Sequence, residues 1–270
     1  MQRAPSVHWT REHRLIALNL YFKLPFGKLH KGNPLIIEVA RKMGRAPSSL
    51  AIKLCNFASL DPVLKARGIK GMTGVAAEDR ALWREFSAHR DALVPESEQI
   101  LHDLFTRDQN QEIDFLDRQR VKLEPSQKLR IPTGSTDVLA SVKVRRGQQF
   151  FRQAILNAYD VRCCISGINV PDLLVASHIK PWRDFPDQRL DPRNGLCLSA
   201  LHDAAFDAGL ITLDEKFGVV LSKRLRRFFP QSALEENFVP FEQKMIRMPE
   251  QLAEPAAECL QYHREVIFAG

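Results

Sequence analysis

No apolar run in this 270-residue chain is long enough to cross a bilayer, because a spanning helix needs about 20 apolar residues. The opening Met1-Gln2-Arg3-Ala4-Pro5 lacks the apolar stretch of a secretory leader. Cysteine is scarce and odd in number: Cys55, Cys163, Cys164, Cys197 and Cys259. Five scattered thiols suggest no disulfide framework. Internal repeats and low-complexity tracts are also missing. These absences leave a cytoplasmic globular protein as the expectation, with no membrane association.

What is present is ordinary in bulk and uneven in distribution. Hydrophobic residues make up 44% and charged residues 26%, as in soluble globular domains. The length allows one large domain or two small ones with real cores. The net charge is +7, but residues 1–70 hold thirteen Lys or Arg against three Asp or Glu, so the rest of the chain is net acidic. A basic front end suits a polyanion partner, since phosphate neutralisation supplies most non-specific DNA affinity. A merely solvated surface face explains the same charge equally well.

Thr10 is placed to cap a helix carrying Leu15, Leu18 and Phe22 at helical spacing, with Pro25 as its stop. Asn33-Pro34 opens a second helix through Ile36, Ile37 and Ala40 to Gly44. A third begins near Pro47 and sets Leu50, Leu54 and Phe57 on one face. The stretch from Ile36 to Phe57 resembles a helix-turn-helix, with Ala40 at the crossing, Gly44 at the turn and Leu50 as buried anchor. Ser48, Ser49, Lys53 and Asn56 would then flank the core and face DNA. A structural three-helix cluster is the equal alternative. Residues 76–107 read as helical, through Trp83 and Phe86 and then from Glu96 to Phe105. The polar segment 108–137, with Pro125, Pro132 and Gly134, reads as a linker.

Beyond it, a helix is expected from about Gly147 to Ala158, with Phe151, Ile155 and Ala158 on one side. Arg162 to Ile165 reads as a short strand ending in a turn at Ser166-Gly167. Leu173–Ile179 and Gly195–Leu198 read as paired strands, and Ala200–Phe206 as the helix after them. A hairpin follows, from Gly209–Leu213 to Val219–Leu221 through Phe217-Gly218. A closing helix over Pro255–Phe268 places Leu260, His263 and Ile267 at core spacing. The expected class is α+β: a basic helical domain over 1–107, the linker, and a second domain over 138–270.

The second domain holds Arg145-x-Gly147-Gln148-x-x-Phe151-Arg152, Cys164-x-Ser166-Gly167 and Ala176-Ser177-His178-Ile179-x-Pro181-Trp182. It continues with Arg193-Asn194-Gly195-Leu196-x-Leu198 and His202-x-x-x-Phe206-Asp207-x-Gly209. Histidine, sixteen residues to Asn194 and eight more to His202 resembles the ββα-metal nuclease core of the HNH family, in a bacterial subgroup assigned to restriction endonucleases. The resemblance is strong over about residues 142–215 and extends more weakly to Asn56-Phe57-Ala58-Ser59-Leu60-Asp61.

The resemblance implies a DNA endonuclease that leaves 5′-phosphate and 3′-hydroxyl ends. His178 would be the general base, its unperturbed pKa near 6.5 suiting proton abstraction at physiological pH. Asn194 would tie the loop between the strands so that His178 cannot swing. His202 would be a metal ligand, with Asp207 the second and Asp203 the other candidate. Many members carry Asp immediately before the base; Ser177 stands there and is a poor ligand for Mg²⁺. One Mg²⁺ per site is expected, with Mn²⁺ or Ni²⁺ as alternatives.

Adjacent Cys163-Cys164 with a lone Cys197 does not fit the spacing of a structural zinc site, so these thiols read as small buried residues. Arg145, Arg146, Arg152, Lys180 and Arg193 surround the site in sequence and are candidates for phosphate contact, with Trp182 packing under the base strand. Lys223-Arg224-Leu225-Arg226-Arg227 is a weaker candidate of the same kind. The expected partner is double-stranded DNA, and two strand cuts are easiest for a homodimer presenting two sites. A non-catalytic DNA-binding regulator that keeps a decayed nuclease fold is the rival reading, favoured by Ser177 and the helix-turn-helix resemblance.

Overall fold

The computed structural model describes residues 8–68, 74–106, 135–249 and 254–270, excepting the side chains at 106 and 135–145. The chain divides into two units, Met1–Phe150 and Phe151–Gly270. Among the described residues no helix is long and apolar enough to cross a membrane.

The first unit is helical: α1 (Arg11–Lys23), α2 (Pro34–Lys42), α3 (Pro47–Ala58), α4 (Pro62–Ala66), α5 (Ala77–Ala88) and α6 (Arg90–Thr106). Local chemistry sets the starts. Thr10 Oγ1 accepts from the His13 amide at 3.2 Å, and Asn33 Oδ1 from Leu35 at 2.9 Å. Proline occupies the first turn of α2, α3 and α4, where no amide is missed. α1 is the central element, burying Leu15, Ile16, Leu18 and Leu20. Burial of each such side chain contributes roughly 1.5–3 kcal/mol. Between α2 and α3 the chain reverses at Gly44, whose φ of +66° favours glycine, while Ala40 and Leu50 are fully buried.

The cations of this unit are partly spent inside it. Lys53 is buried, with Nζ 2.5 Å from Asp79 Oδ2, and Arg14 Nε reaches the other oxygen of the same carboxylate at 3.0 Å. Lys23 is buried against Glu98. The expectation that Lys53 faces DNA is therefore overturned: the position lies on the core side of α3 and its charge is matched by α5. Ser49 and Asn56 are half-buried on the same helix, and Ile52 is exposed.

The expected linker lies outside the described residues over 108–134. Helix α7 (Ser135–Ala158) takes in its last three positions and starts well before the Gly147 expected from the apolar pattern. The division between units falls within α7, at Phe150 and Phe151. Phe150 packs on Phe22 of the first unit.

In the second unit, β1 (Leu174–His178) pairs antiparallel with β2 (Gly195–Ser199), and α8 (Ala200–Asp207) packs on both. The register sets His178 opposite Gly195 and Ser177 opposite Leu196. A hairpin follows, β3 (Ile211–Leu213) with β4 (Val219–Leu221). Helices α9 (Lys223–Arg226), α10 (Ser232–Phe238) and α11 (Ala257–Tyr262) complete the unit, α11 running into a wider turn over His263–Ile267. The strand expected over Arg162–Ile165 does not form. Asp160 and Val161 take positive φ and turn the chain, leaving the Cys164 amide to donate to Cys197 of β2 at 2.8 Å.

Candidate active site

His178 is the last residue of β1, where the strand places its side chain on the face opposite to Ser177. Its Nε2 lies 2.9 Å from the carbonyl oxygen of Arg189. A carbonyl only accepts, so Nε2 carries the proton of the neutral ring and Nδ1 keeps its lone pair. Nδ1 has no hydrogen-bond partner among the described residues. Phe151 stacks on the imidazole at 3.8 Å between ring centroids and 12° between planes, and Trp182 meets it edge-on at 5.2 Å. Burial lowers the His178 pKa below its usual 6.5, and the bond to Arg189 offsets part of that shift.

Asn194 holds the loop that returns from β1 to β2. Its buried amide accepts from the Lys180 amide at 2.8 Å and donates to the carbonyls of Lys180 and Gln188 at 3.2 and 3.3 Å. Its own carbonyl accepts from Ile179 at 3.0 Å. These bonds span the chain on both sides of Trp182 and Arg189, and Arg189 Nε donates to the Trp182 carbonyl at 2.6 Å. The Arg189 carbonyl is thereby fixed against His178.

His202 is turned inward on α8 and is 1% exposed. Nε2 donates to the Asn237 carbonyl at 3.0 Å, while Nδ1 is 2.8 Å from the hydroxyl of Ser199, the residue capping α8. Phe238 and Phe241 meet the ring edge-on. With both nitrogens occupied, no lone pair is left for an ion, so the expectation of His202 as a metal ligand gives way to a structural role. Its helical neighbours are placed differently. Asp203 and Asp207 stand one turn apart on α8, and no ion pair among the described residues neutralises either. Burial raises the Asp203 carboxyl, and the nearby Ser177 hydroxyl draws it back. Asp207 is more exposed, yet desolvation and then the Asp203 charge push it up to about 6. The Ser177 Oγ is buried without a fully formed hydrogen bond. Among the described residues no three His, Cys, Asp or Glu side chains converge as a ready metal cluster.

The candidate phosphate contacts separate into groups. Arg152 donates to the carbonyls of Leu174 and Pro171 at 2.7 and 3.1 Å and thus braces β1 from within. Arg146 belongs to the first unit, where burial lowers its pKa; the Arg145 side chain lies outside the described residues. Lys180 sits over Phe185 at 4.8 Å, and Arg193 is half-exposed while paired with Asp191. On α9, Lys223, Arg224 and Arg227 are exposed and Arg226 pairs with Glu242. Cys163, Cys164 and Cys197 are free and buried.

Sequence reasoning missed two features of this site. The Arg189 carbonyl has no side-chain signal to reveal it. Phe151 stands within Gly147-Gln148-x-x-Phe151-Arg152, but its helical spacing is that of an ordinary core residue.

Residues 163–214 match the model of a family described as HNH endonuclease, a span that takes in β1, β2, α8 and β3. The second unit therefore carries an HNH domain, downstream of a helical amino-terminal region. No curated protein matches the chain.

Proposed function

We propose that the second unit is a divalent-metal-dependent DNA endonuclease of restriction or defence type, in which His178 takes a proton from the attacking water. The observation that carries this reading is the bond from His178 Nε2 to the Arg189 carbonyl, which leaves Nδ1 as a free acceptor on a ring kept neutral by burial. Asn194 would keep the loop closed so that this orientation persists through turnover.

Asp203, beside the Ser177 hydroxyl, and Asp207, one helical turn on, are the residues that would hold the ion. Two unneutralised carboxylates with a hydroxyl and water are a donor set suited to Mg²⁺ or Mn²⁺. Bound there, a divalent ion supplies charge neutralisation at the scissile phosphate and its leaving oxygen. Lys180 and the half-exposed Arg193 are the cations we assign to flanking phosphates of double-stranded DNA. A homodimer would present two such sites to the two strands.

The second reading is a DNA-binding regulator with a decayed site. It is favoured by Ser177, which stands where a carboxylate would complete a three-ligand set. Cleavage of supercoiled plasmid with Mg²⁺ or Mn²⁺, beside EDTA and His178→Ala controls, separates the two. Cutting that needs both the ion and His178 supports the nuclease. DNA binding with no cutting of plain or cytosine-modified plasmid supports the regulator.

A further inference from the structure

Phe151 stacks face to face on His178, with ring centroids 3.8 Å apart. Phe151 is 1% exposed and nearly parallel to the imidazole. Its seat exists only because residue 195 is glycine: a Cβ there would stand 2.6 Å from Phe151 Cζ and 2.5 Å from Ile155 Cδ1. Gly195 is also the register partner of His178, so the wedge and the base share one rung of the ladder. Trp182 limits the ring from its edge, and the guanidinium of Arg189 ties back to the carbonyls of Trp182 and Arg183. The imidazole is thus constrained on a face, at an edge and at Nε2, while Nδ1 is left open.

We propose that Phe151 is a positioning residue for the general base: its ring, seated by Gly195, holds the His178 imidazole in the plane where Nε2 reaches the Arg189 carbonyl and Nδ1 stays accessible. This rests on the reading of His178 as the base. A preorganised base retains most of its efficiency only while its rotamer is locked by what surrounds it. A merely structural Phe151 would lower stability on truncation but would leave the ring's titration and the chemical step alone.

The test uses the full chain with histidine-selective labelling, following the His178 ring resonances across pH. Phe151→Leu and Gly195→Ala should each move those resonances downfield, through loss or displacement of the ring current. Plasmid cleavage by both variants should lose kcat on the order of 10-fold or more, with KM within about two-fold. Ile155→Val, which trims the same pocket without touching the stack, should lower Tm alone. Unchanged resonances in folded Gly195→Ala would overturn the proposal, as would a displaced ring with unchanged kcat in either variant. Should Phe151→Leu not fold, Phe151→Met and Gly195→Ala carry the same comparison. Undiminished cutting by His178→Ala would instead remove the base assignment, whatever the stack does.

Discussion

The carbonyl oxygen of Arg189 lies 2.9 Å from Nε2 of His178, and this one bond determines which nitrogen of the ring is free. The ring is pushed by burial toward its neutral form, so it is competent at pH 7 and loses that competence on acidification. We expect kcat/KM for plasmid cleavage to rise along a single limb with a midpoint below 6.5 and to level by neutral pH. Arg189→Ala keeps the carbonyl but cuts its ties to Trp182 and Arg183, and should reduce the plateau more than it moves the midpoint.

Asp207 should show opposite effects on stability and activity. Its folded pKa of about 6 stands above the unfolded value, so the folded state favours the protonated form and the charged carboxylate opposes folding above that pH. Asp207→Asn is expected to raise Tm at pH 7.5 and to abolish cutting. Mg²⁺ should raise the Tm of the wild type and leave that of the variant unchanged, as read by scanning fluorimetry.

Asn194 makes three side-chain bonds to main-chain groups from a buried position. Asn194→Ala should cost about 1–3 kcal/mol in urea unfolding, because the groups it leaves behind are unsatisfied. Cleavage should fall further than stability alone explains. Asn194→Asp, which faces two carbonyls with a charge, should be at least as damaging.

Lys53→Met separates the structural from the DNA-binding reading of α3. Removing one partner of a buried ion pair typically costs about 3–5 kcal/mol, and Asp79 would be left beside Arg14 alone. We expect a large drop in Tm, with the salt dependence of DNA binding by the folded protein unchanged. A shallower salt slope of about one phosphate contact would instead make Lys53 a DNA ligand.

Much of the fold is legible in the sequence because its rules are local. The start of α1 follows from Thr10 and that of α2 from Asn33-Pro34, while β1, β2 and α8 follow from short apolar runs flanked by turn residues. The role of His202 was not legible, because it depends on Asn237, 35 positions away, and on which of the nitrogens that partner occupies. The burial of Lys53 was hidden in the same way: the residue type signals solvent, and only Asp79 from a later helix reverses it. A charge count along the first 70 residues cannot distinguish a cation aimed at DNA from one answering a carboxylate inside the fold.

His202 bears on how this fold is traced through diverging chains. Its task is to bridge a serine hydroxyl and one main-chain carbonyl beneath two aromatic rings. A different side chain able to span the same gap would satisfy the fold and, under the proposed mechanism, leave the chemistry untouched. Loss of Asp207, by contrast, alters nothing in the letters for which the motif is named. Under the proposed roles, a chain that still reads His–Asn–His can be silent, and one that has lost the final histidine can still cut.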